Sequence, residues 1–140
     1  MSDPHQLPVV EFAFAGPLRD RLVAAILEGT KTTTASTLVE YEVDGEALPV
    51  VGTRQTVIDS GDVPVAVIEI TAVEFVRLAS VALQHALDEG EGYTTVAQWR
   101  SAHEAFWQSE AMRAHLCDPH FSMDDETLVV LERFRLLERL

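Results

Sequence analysis

The feature that most constrains this chain is Gly29–Ser36, reading G-T-K-T-T-T-A-S, because it forces a change of backbone conformation. Upstream, Leu18, Leu22, Ile26 and Leu27 recur at helical spacing behind Gly16-Pro17, and proline is tolerated in a first helical turn. The spacing predicts a helix through Glu28, with Asp20 early in it and Gly29 as its C-terminal stop. Downstream, Thr30–Thr37 is rich in β-branched hydroxyl residues, which disfavour helix and favour extended chain. On a regular strand Lys31 and Thr33 would share one face, and Thr32 and Thr34 the other. A turn or bulge would change that assignment.

The remaining elements follow from turn signals and periodicity. Val9–Phe14 is an apolar patch, and Leu38–Val43 carries Tyr41 among acidic residues in a polar loop. Asp44-Gly45, then Pro49 and Gly52, mark loops. Arg54–Ile58 and Val65–Val73 read as antiparallel strands joined by a hairpin turn at Asp59–Asp62, with Glu74–Leu78 as a further short strand. Ser80 is an N-cap candidate for a helix through about Glu89, with Val81, Leu83 and Leu87 as apolar positions. Thr95 and Gln98 match a capping box, ahead of a stripe of Val96, Trp99, His103, Phe106 and Trp107. An irregular piece around Pro119 leads to Thr127–Leu137, whose β-branched start favours a closing strand over the alternative of a helix. Strands do not alternate regularly with helices, so a doubly wound parallel sheet is not expected. The expected class is α+β, a small mixed β-barrel with flanking helices.

Length and composition bound the function. At 140 residues and 47% hydrophobic content, one domain over residues 1–140 is expected, with 1–9 as a flexible tail. No apolar run approaches the roughly 18 residues of a membrane span. The N-terminus lacks a signal-peptide pattern. A single cysteine, Cys117, fits a reducing cytoplasm. The net charge of −13 opposes a broad surface for nucleic-acid chains, so no DNA partner is expected, while a pocket for one nucleoside or base stays open.

Lys31, close to several hydroxyls, is a candidate general base if desolvated, or a holder of an anionic group, or a solvated lysine after a helix. Thr32, Thr33, Thr34 and Ser36 are candidate nucleophiles or oxyanion donors, although β-propensity alone explains a threonine run. Glu89 and Glu91 flank a glycine at a helix end, where carboxylates oppose the helix dipole and can serve acid–base chemistry or merely be solvated. His85 and Glu89 share a helical face, and Cys117 with His120 forms a second pair. Neither completes a metal-ligand set, so no metal or other cofactor is expected. Trp99, Phe106 and Trp107 are able to stack a base, but helical spacing favours the core for Trp99 and Phe106, and Tyr41, in a polar loop near the Gly29–Ser36 stretch, is the better candidate for a pocket rim.

These residues also carry a family resemblance. Ile26-Leu27-Glu28-Gly29 followed by Lys31-Thr32-x-Thr34-x-Ser36 resembles the ASCH domain, related to the PUA fold. Further matches are Leu48-Pro49 with Val51-Gly52, the Val65–Val73 strand, Glu89-Gly90-Glu91-Gly92, Trp99-Arg100 with His103, and Glu132-Arg133-Phe134. The resemblance spans about Phe12 to Leu137. It implies a PUA-like barrel with a cleft suited to RNA or a modified nucleoside. One small branch hydrolyses N(4)-acetylcytidine with a lysine, a threonine and a glutamate; another is a metal-assisted ribonuclease. By motif, the catalytic lysine falls on Lys31, the threonine on Thr34 and the glutamate on Glu89, with Glu91 as the alternative. Ser36, Tyr41, Glu91, Thr32 and Arg100 are then expected to bind substrate. Where that branch continues into isoleucine and arginine, this chain has Ala35-Ser36. The implied activities are an amidohydrolase acting on an acylated nucleoside, a non-catalytic RNA- or nucleotide-binding module, or a metal-assisted ribonuclease.

Overall fold

A computed structural model describes residues 6–140. Helix α1 covers Pro17–Glu28 and ends at Gly29, whose φ of 85° is the left-handed conformation that glycine adopts without a Cβ penalty. The chain turns directly into strand β2, Thr33–Thr37, as the change from helical to β-branched sequence predicts. Strands β3 (Arg54–Ile58) and β4 (Pro64–Arg77) form the expected hairpin, whose turn is closed by Asp59 Oδ1 accepting from the Gly61 and Val63 amides. β5 is Leu128–Arg139, the closing strand.

One five-stranded sheet unites these elements in the order β1-β3-β4-β5-β2, where β1 is Val9–Val10. β1 runs parallel to β3 and the other pairs are antiparallel, so the sheet is mixed. The expected barrel is corrected to an open sheet, because β1 and β2 remain its two edges. The long central pair β4–β5 carries two register shifts, at Val67/Ile68 and Ile70/Ala72. Such irregularities bend a ladder without closing it. The separate strand expected at Glu74–Leu78 is the continuation of β4 past the second shift.

Three local expectations change. Leu38–Asp44 is helix α2, not a loop: Glu40 reaches back to accept from the Thr37 amide at 2.7 Å and from the Thr37 hydroxyl at 2.8 Å. The T-x-x-E pattern at 37–40 is the capping-box signal that announces it. The helix expected from Ser80 begins later, as α3 at Leu83–Asp88, after a single 3₁₀ turn at Leu78–Ser80. The irregular piece contains a further helix, α5 at Glu110–Leu116, capped by Ser109. Helix α4, Val96–Trp107, starts at Thr95 as its capping residue predicts. Of the expected tail, Met1–His5 lies outside the described residues, whereas Pro8 and Val9 are tied to β3.

The core forms two clusters. Phe12, Leu22, Val23 and Ile26 pack with Val57, Ile68 and Phe134 of the sheet, so the apolar stripe of α1 covers one part of it. Trp99, Trp107, Met112 and Leu116 pack with Leu78, Val129 and Leu131, which seats α4 and α5 on another. Burying side chains of this size stabilises by roughly 1.5–3 kcal/mol each. No helix among the described residues is long and apolar enough to cross a membrane.

Candidate active site

The chain's single lysine, Lys31, is also one of its most buried residues, at 2% exposure. Its backbone amide bonds Ala25 O at the end of α1, and the Thr32 amide bonds Asp88 O at the end of α3. The lysine is therefore held where two helices end beside the first residue of β2. Its ammonium donates to Thr33 O at 2.9 Å and to Glu89 O and Oε1, each at 3.4 Å, with Glu91 Oε2 at 3.8 Å. A buried cation needs such partners, since desolvation without them costs several kcal/mol.

Gly90 makes this approach possible. It has φ of 71°, and a Cβ there would stand 2.5 Å from Thr30 O and 2.7 Å from Lys31 N. Only glycine lets the Glu89–Glu91 loop lie this close to the lysine backbone.

Glu89 is 1% exposed and all its acceptor positions are engaged. Oε1 faces Lys31 Nζ and His103 Nε2 (3.2 Å); Oε2 faces His85 Nε2 (3.1 Å) and accepts from Trp99 Nε1. Burial pushes this carboxyl up, but the hydrogen bonds of His103 and His85 and the charge of Lys31 outweigh it and hold the group well below its ordinary value. Glu89 is thus a fixed carboxylate with no proton to give. Glu91, two residues on, is half-buried and behaves oppositely: burial raises it, and the nearby Glu89 charge adds to the rise against the pull of Lys31.

His85, His103 and Trp99 are the members that sequence reasoning did not assign to the site. The His85–Glu89 spacing on one helical face was legible. Their burial was not, because the apolar positions expected to face inward on α3, Leu83 and Leu87, are exposed at 45% and 41%, and its buried face is His85 and Ala86. Trp99 is core, as expected, and in addition donates its indole N–H to Glu89. His103 stacks on Trp99 with ring centroids 4.3 Å apart and turns Nδ1 to Trp99 O at 2.8 Å.

A cleft of about 960 Å³ opens beside this cage. Lys31, Thr34, Ser36, Tyr41, Glu89 and Glu91 of the expected residues line it, together with Tyr93, His103 and Glu132. Thr32 and Arg100 do not. Thr32 donates to Asp88 O on the far side of the strand, and Arg100 is engaged by Glu104 at 2.7 Å and Asp125 at 2.6 Å. Both lie away from this cleft because Thr32, just before β2, is tied to the end of α3, and Arg100 is drawn to Glu104 and Asp125. Lys31 reaches the cleft without a bulge in β2, since its long side chain passes the strand's free edge at Thr33 O.

The hydroxyl run is sorted by its partners. Thr30 donates to Ala25 O, Thr32 to Asp88 O, Thr33 to His85 O and Thr37 to Glu40, while Ser36 bonds Tyr41. Thr34 is the one hydroxyl of this run with no hydrogen-bond partner among the described residues, and it lines the cleft. Burial and the Glu132 charge raise the Tyr41 phenol above its ordinary value, and burial with the Glu91 charge does the same for Tyr93.

Glu89, Glu91 and His103 offer ligand atoms within 4.8 Å of one another, the set a divalent ion would use. Lys31 Nζ already stands 3.4 Å from Glu89 and 3.8 Å from Glu91, so the carboxylates are matched to an ammonium. A second cation there would have to displace it, and the residues as arranged do not fit a metal.

The comparisons agree with this architecture. The ASCH domain model matches residues 10–138. Protein EF3133 from Enterococcus faecalis V583 is 26% identical, with a TM-score of 0.81 over 94% of this chain and 77% of that one. An ASCH domain from Lactobacillus crispatus JV V101 is 28% identical, with a TM-score of 0.78 over 93% and 79%. A tyrosine-to-phenylalanine mutant of the ASCH protein from Zymomonas mobilis shares the fold at 11% identity, with a TM-score of 0.50 over 86% and 69%. No curated protein matches. With its family model matched almost end to end, its fold shared with solved ASCH structures, and a lysine–glutamate cage at the centre of the matched region, this chain belongs to the ASCH domain family.

Proposed function

We propose that the cleft hydrolyses the amide of a small, uncharged acylated compound, of the acylated-nucleoside kind that the ASCH resemblance suggests. One observation carries this: Thr34 holds the only unengaged hydroxyl of the run, in the same cleft as a lysine whose ammonium is fixed by a buried glutamate. The Lys31 ammonium first passes a proton to Glu91, 3.8 Å away, and the resulting amine accepts one from the Thr34 hydroxyl or from a water that this hydroxyl holds. The oxygen so activated attacks the amide carbonyl. Glu91, whose burial favours its protonated form, delivers a proton to the leaving amine, and Lys31 returns one to Glu91 across 3.8 Å. Where Thr34 itself attacks, a water activated in the same way then cleaves the ester. Glu89 is a positioning residue for Lys31. Of the two roles open to it from sequence, orienting the lysine or protonating the amine, its four filled positions favour the first.

The wall chemistry favours a neutral ligand over a phosphodiester. Among the described residues, Glu11, Glu40, Glu46, Glu91 and Glu132 share the cleft with Lys31 and Arg21 as the lysine and arginine side chains that line it. This weakens both the RNA-binding and the ribonuclease alternatives.

The test is release of cytidine from N(4)-acetylcytidine by wild type, Lys31→Ala and Thr34→Val, with and without a chelator. Turnover that survives chelation and falls by about 100-fold or more in both variants is expected, the scale of losing a positioned proton acceptor or nucleophile. Turnover unchanged in Lys31→Ala would sink the hydrolase. Wild type that leaves this amide intact but retains RNA in a salt-dependent gel shift would replace it with a binding module, and chelator-sensitive RNA cleavage would replace it with a nuclease.

A further inference from the structure

The catalytic end of the cleft leaves one wall unexplained. Glu132 on β5 is the direct cross-strand partner of Thr34 on β2. Side chains so paired stand roughly 4.5–5.5 Å apart at Cβ and face the same way. Glu132 lines the cleft, yet no lysine, arginine or histidine forms an ion pair with it among the described residues. Its one hydrogen-bond partner is the Tyr41 hydroxyl, at 3.4 Å, and Tyr41 is held in turn by Ser36.

Every other carboxylate of the catalytic end is answered from within the protein. Glu89 has four nitrogens, Glu91 has Lys31 and Tyr93, and Glu40 has the Thr37 amide and hydroxyl. A half-buried carboxyl with so little compensation destabilises the empty protein, since a buried polar group without partners costs free energy. A ligand would supply the missing partners. Burial raises the Glu132 carboxyl, with the Tyr41 hydrogen bond opposing, and so favours the protonated form, which offers one donor and one acceptor side by side.

We propose that Glu132, seated by Tyr41 across the β2–β5 ladder from Thr34, is the specificity-determining residue of the cleft, taking a neutral ligand edge on which an N–H donor and an acceptor stand side by side. Heterocyclic amides and amidines carry such an edge; phosphates, and trans secondary alkyl amides whose N–H and C=O point opposite ways, do not. The inference rests on the hydrolase reading for one point only: an edge bound at Glu132 brings the neighbouring acyl group over Thr34, its cross-strand partner. Tyr41 steers the carboxyl through its hydrogen bond to Glu132 Oε2, which keeps a second lone pair for the ligand.

The experiment measures equilibrium binding, so that it does not depend on turnover. Cytidine, whose ring nitrogen and amino group form the required edge, is titrated calorimetrically into wild type, Glu132→Gln and Glu132→Ala, each first shown to melt cooperatively. N(4),N(4)-dimethylcytidine, which lacks the N–H donor, is the control ligand. Wild type should prefer cytidine by about 10-fold or more, the scale of one lost hydrogen bond at a site that leaves its partner unpaired. Glu132→Gln, which keeps one donor and one acceptor, should retain most of that preference. Glu132→Ala should abolish it. A wild type that binds neither nucleoside, or equal preference in wild type and Glu132→Ala, overturns the proposal. Failure of the hydrolase looks different: cytidine bound through Glu132 by a protein that cleaves no acyl derivative keeps this inference and loses the reaction. Turnover of N(4)-acetylcytidine with an unaltered KM in Glu132→Ala does the reverse.

Discussion

The Glu89 cage and the Glu132 wall border the same cleft and are built on opposite principles. Around Glu89, four nitrogens from α3, α4 and the segment before β2 converge on one carboxylate, and almost no water reaches it. Around Glu132, a carboxyl of the same type has a single tyrosine for company. The first arrangement commits its hydrogen-bonding capacity to the fold and holds the lysine still. The second leaves capacity for something outside the protein. Satisfaction, more than residue type, thus separates a positioning carboxylate from one available to a ligand.

The contrast predicts very unequal effects of equivalent substitutions. Glu89→Ala should destabilise the protein by about 3–5 kcal/mol in urea denaturation, because the buried Lys31 loses its nearest carboxylate and the nitrogens of His85, Trp99 and His103 lose their shared acceptor. Glu132→Ala should stay within about 0.5 kcal/mol of wild type, as expected away from a satisfied network. Equal losses from the two would erase the distinction.

Gly90→Ala comes next. The new Cβ would meet the Thr30 carbonyl at 2.5 Å on a residue with φ of 71°, so the loop must move. The left-handed conformation alone costs roughly 1–2 kcal/mol, and the displacement should add to that while reducing any turnover along with stability. A variant that loses stability but keeps full turnover would show that the loop's distance from Lys31 does not matter to the chemistry.

The smallest effect is in the pH dependence. Glu89 has a lowered folded value, so its stabilisation is present above the ordinary carboxyl value of 4.5 and lost as pH falls below it. Glu91 and Glu132 have raised values, so their contribution is present below 4.5 and lost as pH rises through the raised folded value. Glu132→Gln should therefore match wild type near pH 4 and melt slightly higher at about pH 7–8, where the buried charge is removed. A Glu132→Gln variant that melts lower than wild type in that neutral range would show that the carboxyl is already well compensated.

The chain's local grammar was legible where residues act on their own neighbours. Gly29 stops α1, the β-branched run becomes β2, the Asp59–Asp62 turn closes the β3–β4 hairpin and Thr95 caps α4. The motif residues Lys31, Thr34, Glu89 and Glu91 were nameable as a candidate set, and the fold lines one cleft with all four. Helix α2 is equally legible in the T-x-x-E pattern of Thr37 and Glu40.

The succession of elements follows from contacts a few positions apart, and the residue types able to do chemistry are written in the chain. Their roles come from long-range packing. Whether the sheet closed depended on pairing between edges far apart in sequence, and β1 and β2 stay apart. Burial of His85 against Glu89, capture of the Trp99 indole and the register that sets Glu132 opposite Thr34 are all long-range facts. Periodicity misjudged α3 for the same reason: a helix face turned toward a buried ion pair is polar, and local patterning assigns polar faces to water.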